Sequence, residues 1–161
     1  MENIKQFKNK DRYLESDRVW TLYLQYRDGY IYATNYYILA RIKGERPEIF
    51  NGIEKVTPFE KLFETTNLIG TVERKEVNRL LPMEDELDYK LKLYNNFFQK
   101  KYLKKMFKAG GKEAKVYETK TRYMYVFKFE EIEFSIMGMA NDQVEMESKE
   151  IPIIKPEEKN G

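Results

Sequence analysis

Strict alternation of apolar and polar residues marks the most regular stretches of this chain. In "RVWTLYLQYR" (18–27), Trp20, Leu22, Leu24 and Tyr26 fall on one face. Thr21, Gln25 and Arg27 fall on the other, the pattern of a half-buried strand. Asp28-Gly29 follows, and glycine accepts the positive φ of a tight turn, so "YIYATNYYILARIKG" (30–44) reads as a return strand and a further strand of a meander. "DYKLKLY" (88–94) alternates again, with Tyr89, Leu91 and Leu93 opposite Lys90, Lys92 and Tyr94. Three further strands are expected in "EAKVYET" (113–119), "YMYVFKFE" (123–130) and "EIEFSIMGMA" (131–140), the last with Ile132, Phe134 and Ile136 on one face. The polar opening, residues 1–17, offers only a short helix around "NIKQFK". Residues 45–86 are less regular. "ERPEIFNG" reads as a loop, and "TPFEKLFETT" (57–66) as a short helix with Thr57 as N-cap and Pro58 at its first position. A second helix is expected in "ERKEVNRLLP" (73–82), stopped before Pro82.

The period changes to that of a helix in "NNFFQKKYLKKMFKAGGK" (95–112), with Asn95 or Asn96 as the expected cap and Gly110-Gly111 as the stop. At about 100° per residue, Phe98, Tyr102, Met106, Leu103 and Phe107 occupy one half of the helix. Lys100, Lys101, Lys104, Lys105 and Lys108 occupy the other, and Lys112 follows the glycines. Lys100/Lys104, Lys101/Lys105 and Lys104/Lys108 are like-charge neighbours, each pair unfavourable by about 0.2–0.5 kcal/mol. No acidic residue intervenes before Glu113. A helix that needed only solubility could carry glutamates here, so the missing acids favour a surface that meets a polyanion over a merely solvated one. With its apolar half committed to a core, the helix is not expected to bind membranes. Lysine without arginine suits point contacts to phosphates, indifferent to base sequence.

Composition narrows the field. The chain has 161 residues, one ordinary domain, and its 13 tyrosines and 10 phenylalanines favour sheet over a helical bundle. The expected class is α+β, with antiparallel sheets and a basic helix packed on one face. With no cysteine and no histidine, disulfides, thiol nucleophiles, His-assisted hydrolysis and His- or Cys-ligated zinc are excluded. "MEDELD" (83–88) lacks the spacing and the glycine of a calcium loop and reads as a solvated acidic segment. No phosphate-loop, dinucleotide or nucleophile-elbow motif occurs. No enzyme activity, cofactor or metal is therefore expected. The absence of a signal-like start or a membrane-spanning apolar run makes a cytoplasmic location the expectation. The net charge of +2 conceals segregation: residues 87–128 carry 12 Lys and Arg against 3 Asp and Glu, whereas residues 129–161 carry 3 against 9. A Pro-interrupted tail, "IPIIKPEEKNG" (151–161), is expected to fray, and a partner-binding peptide is an alternative use for it.

Three stretches, in order, resemble the bacterial DNA polymerase III beta sliding clamp family. "LYLQYRDGYIYATNYYILARI" (22–42) is similar to its strand, Asp-Gly-type turn and "ATDG-RLA"-like return, through Asp28-Gly29, Ala33-Thr34-Asn35 and Ile38-Leu39-Ala40. "YNNFFQKKYLKKMFKAGG" (94–111) resembles the family's strand-to-helix segment, through Asn95 or Asn96, Tyr102, Leu103 and Met106. "FSIMGMA" (134–140) looks like the closing strand, with Gly138 in place of proline. Asn35 and Tyr36 stand where the family has Asp-Gly. The resemblance implies a DNA-clamp-like domain over residues 1–145, with 45–86 an insertion or rebuilt segment carrying Arg74, Lys75 and Arg79, and 146–161 a flexible tail. It also implies two strand-helix-three-strand halves whose helices turn basic side chains towards duplex DNA. Family members carry three such domains per chain and this chain has room for one, so a ring requires several copies. The expected function is that of a non-enzymatic, processivity-factor-like protein of DNA replication, from a phage, mobile element or bacterium. Its partners would be duplex DNA, a DNA polymerase or other replication protein, and further copies of itself. Two alternatives stay open: a monomeric clamp-fold module that binds a replication protein, and a single-strand binder that stacks bases on exposed Tyr and Phe.

Overall fold

A computed structural model describes residues 2–8, 24–35, 37–45, 53–54, 59–80, 90–139 and 149–156. The first helix, α1, is short (Glu2–Lys5). The expected meander follows as β1 (Gln25–Arg27), β2 (Tyr30–Thr34) and β3 (Ile38–Lys43). Asp28 and Gly29 both adopt positive φ, 51° and 85°, in the turn between β1 and β2. The two-residue β4 (Ile53–Glu54) lies parallel to β1. A 3₁₀ turn, Phe59–Phe63, stands where a short helix was expected; its proposed cap, Thr57-Pro58, is outside the described residues. Next come β5 (Thr65–Glu73) and α2 (Arg74–Leu80). A hairpin of β6 (Lys90–Leu93) and β7 (Asn96–Gln99) then leads directly into α3 (Lys100–Gly110). The chain finishes with β8 (Glu113–Thr119), β9 (Met124–Lys128), β10 (Ile132–Met137) and β11 (Lys149–Glu150).

Eight strands form one sheet in the order β4-β1-β2-β3-β10-β9-β8-β5, antiparallel throughout except for β4. Its centre is a seam. The meander β1–β3 joins the meander β8–β10 through an antiparallel ladder from Ile132↔Ile42 to Ile136↔Ile38. A helix precedes each meander and packs on the same side: α1 against β2 and β3, α3 against β8 and β10. The main core lies there. Ile31, Ala33, Ile38 and Ala40 meet Phe127, Phe134 and Ile136 from the sheet, and Leu103, Met106 and Phe107 from α3. Phe7 meets Phe134 edge-on at 4.8 Å, and Phe107 meets Phe129 edge-on at 5.0 Å. A smaller apolar cluster of Tyr32, Leu39, Phe63 and Val126 fills the opposite face under the 3₁₀ turn. There Arg41 lies 4.0 Å from the Tyr30 ring centre and 4.2 Å from that of Phe63. Its guanidinium donates to the cross-strand Glu133 at 2.7 Å.

Three expectations change. Asn95 and Asn96 do not cap the helix: Tyr94-Asn95 turns the β6–β7 hairpin, Leu93 pairs with Asn96, and α3 starts four residues later, after an extended Gln99. Phe98, expected on the helix, is consequently a strand residue, buried against Phe127. The strand β5 was not foreseen, because Gly70 interrupts its apolar pattern. That glycine is needed at this position: a Cβ would lie 2.5 Å from both Ile153 Cγ2 and the Ile154 carbonyl oxygen. Finally, the segment expected as a flexible tail is part of the fold over residues 149–156. β11 pairs in parallel with β6, Ile151 is buried, and Thr71 and Ile154 exchange two backbone hydrogen bonds of 2.9 Å. This strap ties the three-stranded sheet β11-β6-β7 to the edge of the large one. Among the described residues, no helix is long and apolar enough to cross a membrane.

Candidate nucleic-acid interface

Helix α3 forms because its apolar positions recur at helical spacing over a ready-made sheet. Leu103, Met106 and Phe107 are fully buried and Tyr102 half-buried. Gly111, at φ 131°, ends the helix, and its N–H donates to the Phe107 carbonyl at 3.2 Å.

The lysines divide by their place around the helix. Lys101, Lys104 and Lys108 are exposed and span an arc of about 60° when each residue turns about 100°. Lys112, just past the helix, is exposed as well. Lys100 and Lys105, at the flanks of the expected lysine face, are drawn inwards. Lys100 is 3% exposed, which removes it from any polyanion-facing surface. As the first helical residue after the half-buried β7, it lies only about 20° from the direction of Phe107. Lys105 reaches back to the turn that follows α1, donating from Nζ to the Gln6 carbonyl at 2.7 Å, with Nζ 4.9 Å from the Phe7 ring centre. Four of the six expected contact residues therefore remain on the solvent side.

Among the described residues, Lys101, Lys104, Lys108 and Lys112 form no ion pair with a carboxylate. The neighbouring helix α2 behaves differently, although it packs beside α3. Its Lys75 lies 3.6 Å from Glu73, and Arg79 lies 2.9 Å from Glu76. Arg74 is half-buried, and its backbone N–H donates to the Lys112 carbonyl at 2.7 Å. Two of the three cations on α2 are thus paired with acids, whereas Lys101, Lys104 and Lys108 on α3 meet no carboxylate among the described residues. The first turn of α3 contains no acid and no side-chain cap, so its partial positive charge adds to that of Lys101.

At this end of α3 the β2–β3 turn contributes an aromatic ring that the sequence did not single out. Tyr37 is 57% exposed and stacks on Tyr102 at 5.7 Å, with 17° between the rings. Lys101 Nζ lies 5.1 Å from the Tyr102 ring centre. Burial, with Tyr37 alongside, holds the Tyr102 phenol above its ordinary pKa, so it keeps its proton at neutral pH. The signal for Tyr37 lies in "ATNYY", where Asn35 begins a turn and leaves a tyrosine at its tip.

No protein-family model matches this chain, and no curated protein matches it at a significant level.

Proposed function

We propose that this protein is a clamp-like, non-enzymatic DNA-binding protein of replication that contacts the duplex backbone without reading its sequence. The observation that carries the reading is the file of exposed lysines on α3, Lys101, Lys104 and Lys108 with Lys112 beyond, none of them paired with an acid among the described residues. The order β7–α3–β8–β9–β10 supports it, being the strand-helix-three-strand half that the sequence resemblance implies. The joining of two helix-led meanders at β3 and β10 is a second support. In this reading Lys101, Lys104, Lys108 and Lys112 attract phosphates, and no chemistry is performed. A processivity role would further require several copies around the duplex and a polymerase partner. The competing interaction-module reading leans on the "IPII" segment, which is held inside the fold by Ile151 and Ile154.

Binding to a short fluorescein-labelled duplex, followed by anisotropy, tests this. Four phosphate contacts give a slope of about −3.6 in log affinity against log salt, hence a loss of about 100-fold between 50 and 200 mM. The variant K101E/K104E/K108E should lose binding while its far-UV circular dichroism stays that of the parent. Unchanged affinity in that variant overturns the reading.

A further inference from the structure

Tyr37 is more exposed than any other large apolar side chain among the described residues, Met137 at 55% and Tyr94 at 39% following it. It is not loosely held. Asn35 Oδ1 accepts from the N–H groups of Tyr37 at 3.0 Å and Ile38 at 2.9 Å. The Thr34 hydroxyl donates to the Ile38 carbonyl at 2.9 Å, closing the same turn. A rigid turn therefore fixes a ring parallel to Tyr102, whose own position is set by a helix packed into the core. Packing alone would place such a ring inwards. Here a two-ring stack rises from the protein surface, and a lysine stands beside it.

We propose that Tyr37 receives an unpaired nucleobase, extending the Tyr102–Tyr37 stack, so that the interface prefers DNA in which a duplex passes into a single strand. The proposal rests on the reading of the α3 lysines as phosphate contacts and adds the substrate class. Every base has a flat π face, so stacking tolerates any sequence. Within a duplex those faces are covered by neighbouring base pairs; they are offered singly only at an end or in an unpaired strand. From Lys101 the file continues to Lys104 and Lys108 with axial rises of about 4.5 and 6 Å, since a helix advances about 1.5 Å per residue. A strand leaving the platform therefore meets one cation for each backbone step of comparable length.

The test compares a blunt duplex with the same duplex bearing a five-nucleotide overhang, with 2-aminopurine as the second unpaired base. Anisotropy gives affinity, and 2-aminopurine fluorescence reports stacking. The parent protein should bind the overhang DNA at least 5-fold more tightly than the blunt duplex, in line with the known worth of a base–aromatic stack. It should also quench the 2-aminopurine. Tyr37→Ala should bind both DNAs with the affinity the parent shows for the blunt duplex, whereas Tyr37→Phe should keep the preference. K101E/K104E/K108E should weaken both. Equal binding of the two DNAs by the parent, or a preference that survives Tyr37→Ala, overturns the platform and leaves the lysine reading standing. Failure of the parent to bind either DNA overturns both readings. A change of molar mass by light scattering in Tyr37→Ala assigns the ring to a contact between copies and also overturns the platform.

Discussion

Gly110→Ala sets two opposed effects of known size against each other at the end of α3. Alanine is favoured over glycine in a helix by about 0.8–1.0 kcal/mol, and Gly110 has no positive φ that would forbid it. The added Cβ, however, would lie 2.4 Å from Cγ of Phe129 and 2.5 Å from both Cδ atoms. Carbon atoms rest at about 3.5–4.0 Å, so the ring must retreat by about 1 Å. It has little room to do so. Phe129 is 7% exposed and is held edge-on by Phe107 at 5.0 Å and Phe134 at 5.7 Å. Overpacking of this kind costs about 1–3 kcal/mol, which cancels the propensity gain and leaves a net loss of up to about 2 kcal/mol. In the background Phe129→Leu the ring is gone, and the same alanine should become neutral or stabilising by up to about 1 kcal/mol. Urea unfolding followed by far-UV circular dichroism on all four proteins of the cycle gives the coupling. Stabilisation by Gly110→Ala in the parent, or an equal loss in both backgrounds, refutes the steric argument.

Arg41→Ala should cost about 2–3 kcal/mol, because it leaves Glu133 at the seam without its guanidinium and removes the plate between Tyr30 and Phe63. Arg41→Lys keeps the charge but not the planar stack and should recover less than half of that loss in the same urea assay. Tyr125→Phe should cost about 1 kcal/mol at neutral pH, since the Tyr125 hydroxyl accepts the Asn95 N–H at 3.2 Å. The Tyr125 phenol is pushed up to about 12 chiefly by burial, from 10.0. The folded state thus holds a proton that the unfolded chain releases, and stability present below pH 10 is lost as pH rises towards 12. Tyr125→Phe should make that alkaline fall shallower without abolishing it, because Tyr32 and Tyr102 are raised in the same direction.

Wherever burial was one-sided, the sequence revealed the structure. β6 and β10 bury the alternating sets expected, whereas β1 buries Gln25 and leaves Tyr26 half-buried; Asp28-Gly29 could hardly be anything but a tight hairpin turn. Contacts made across the chain were less visible. Gly70 hides β5 from any periodicity test, yet it is there to admit the backbone of Ile153 and Ile154, more than 80 positions away in sequence. Local reading took Asn95-Asn96 for a helix cap because asparagine suits caps and turns alike, and only pairing with β6 decides between them. For the lysines, period alone gave the helix half but not its edges. Lys100 is buried at the junction with β7, and Lys105 meets the turn after α1, a neighbour that residues 95–112 do not contain. The sequence marks Tyr37 only as a turn residue, because the ring it stacks on, Tyr102, belongs to another element.

The seam between β3 and β10 also shapes the order in which this chain can fold. Each meander closes through turns of a few residues, whereas the seam joins Arg41 to Glu133, 92 positions apart. Closing so long a loop costs about 2–3 kcal/mol more in chain entropy than closing a hairpin. The two meanders can therefore form before they meet, and their docking is the late event, with higher φ-values in the hairpins than at Ala40 and Phe134. A chain opened at the seam shows two complementary edges, and a second opened chain shows the same two. Exchange of meanders between them rebuilds every native contact twice, giving a route to a swapped dimer that requires no new surface.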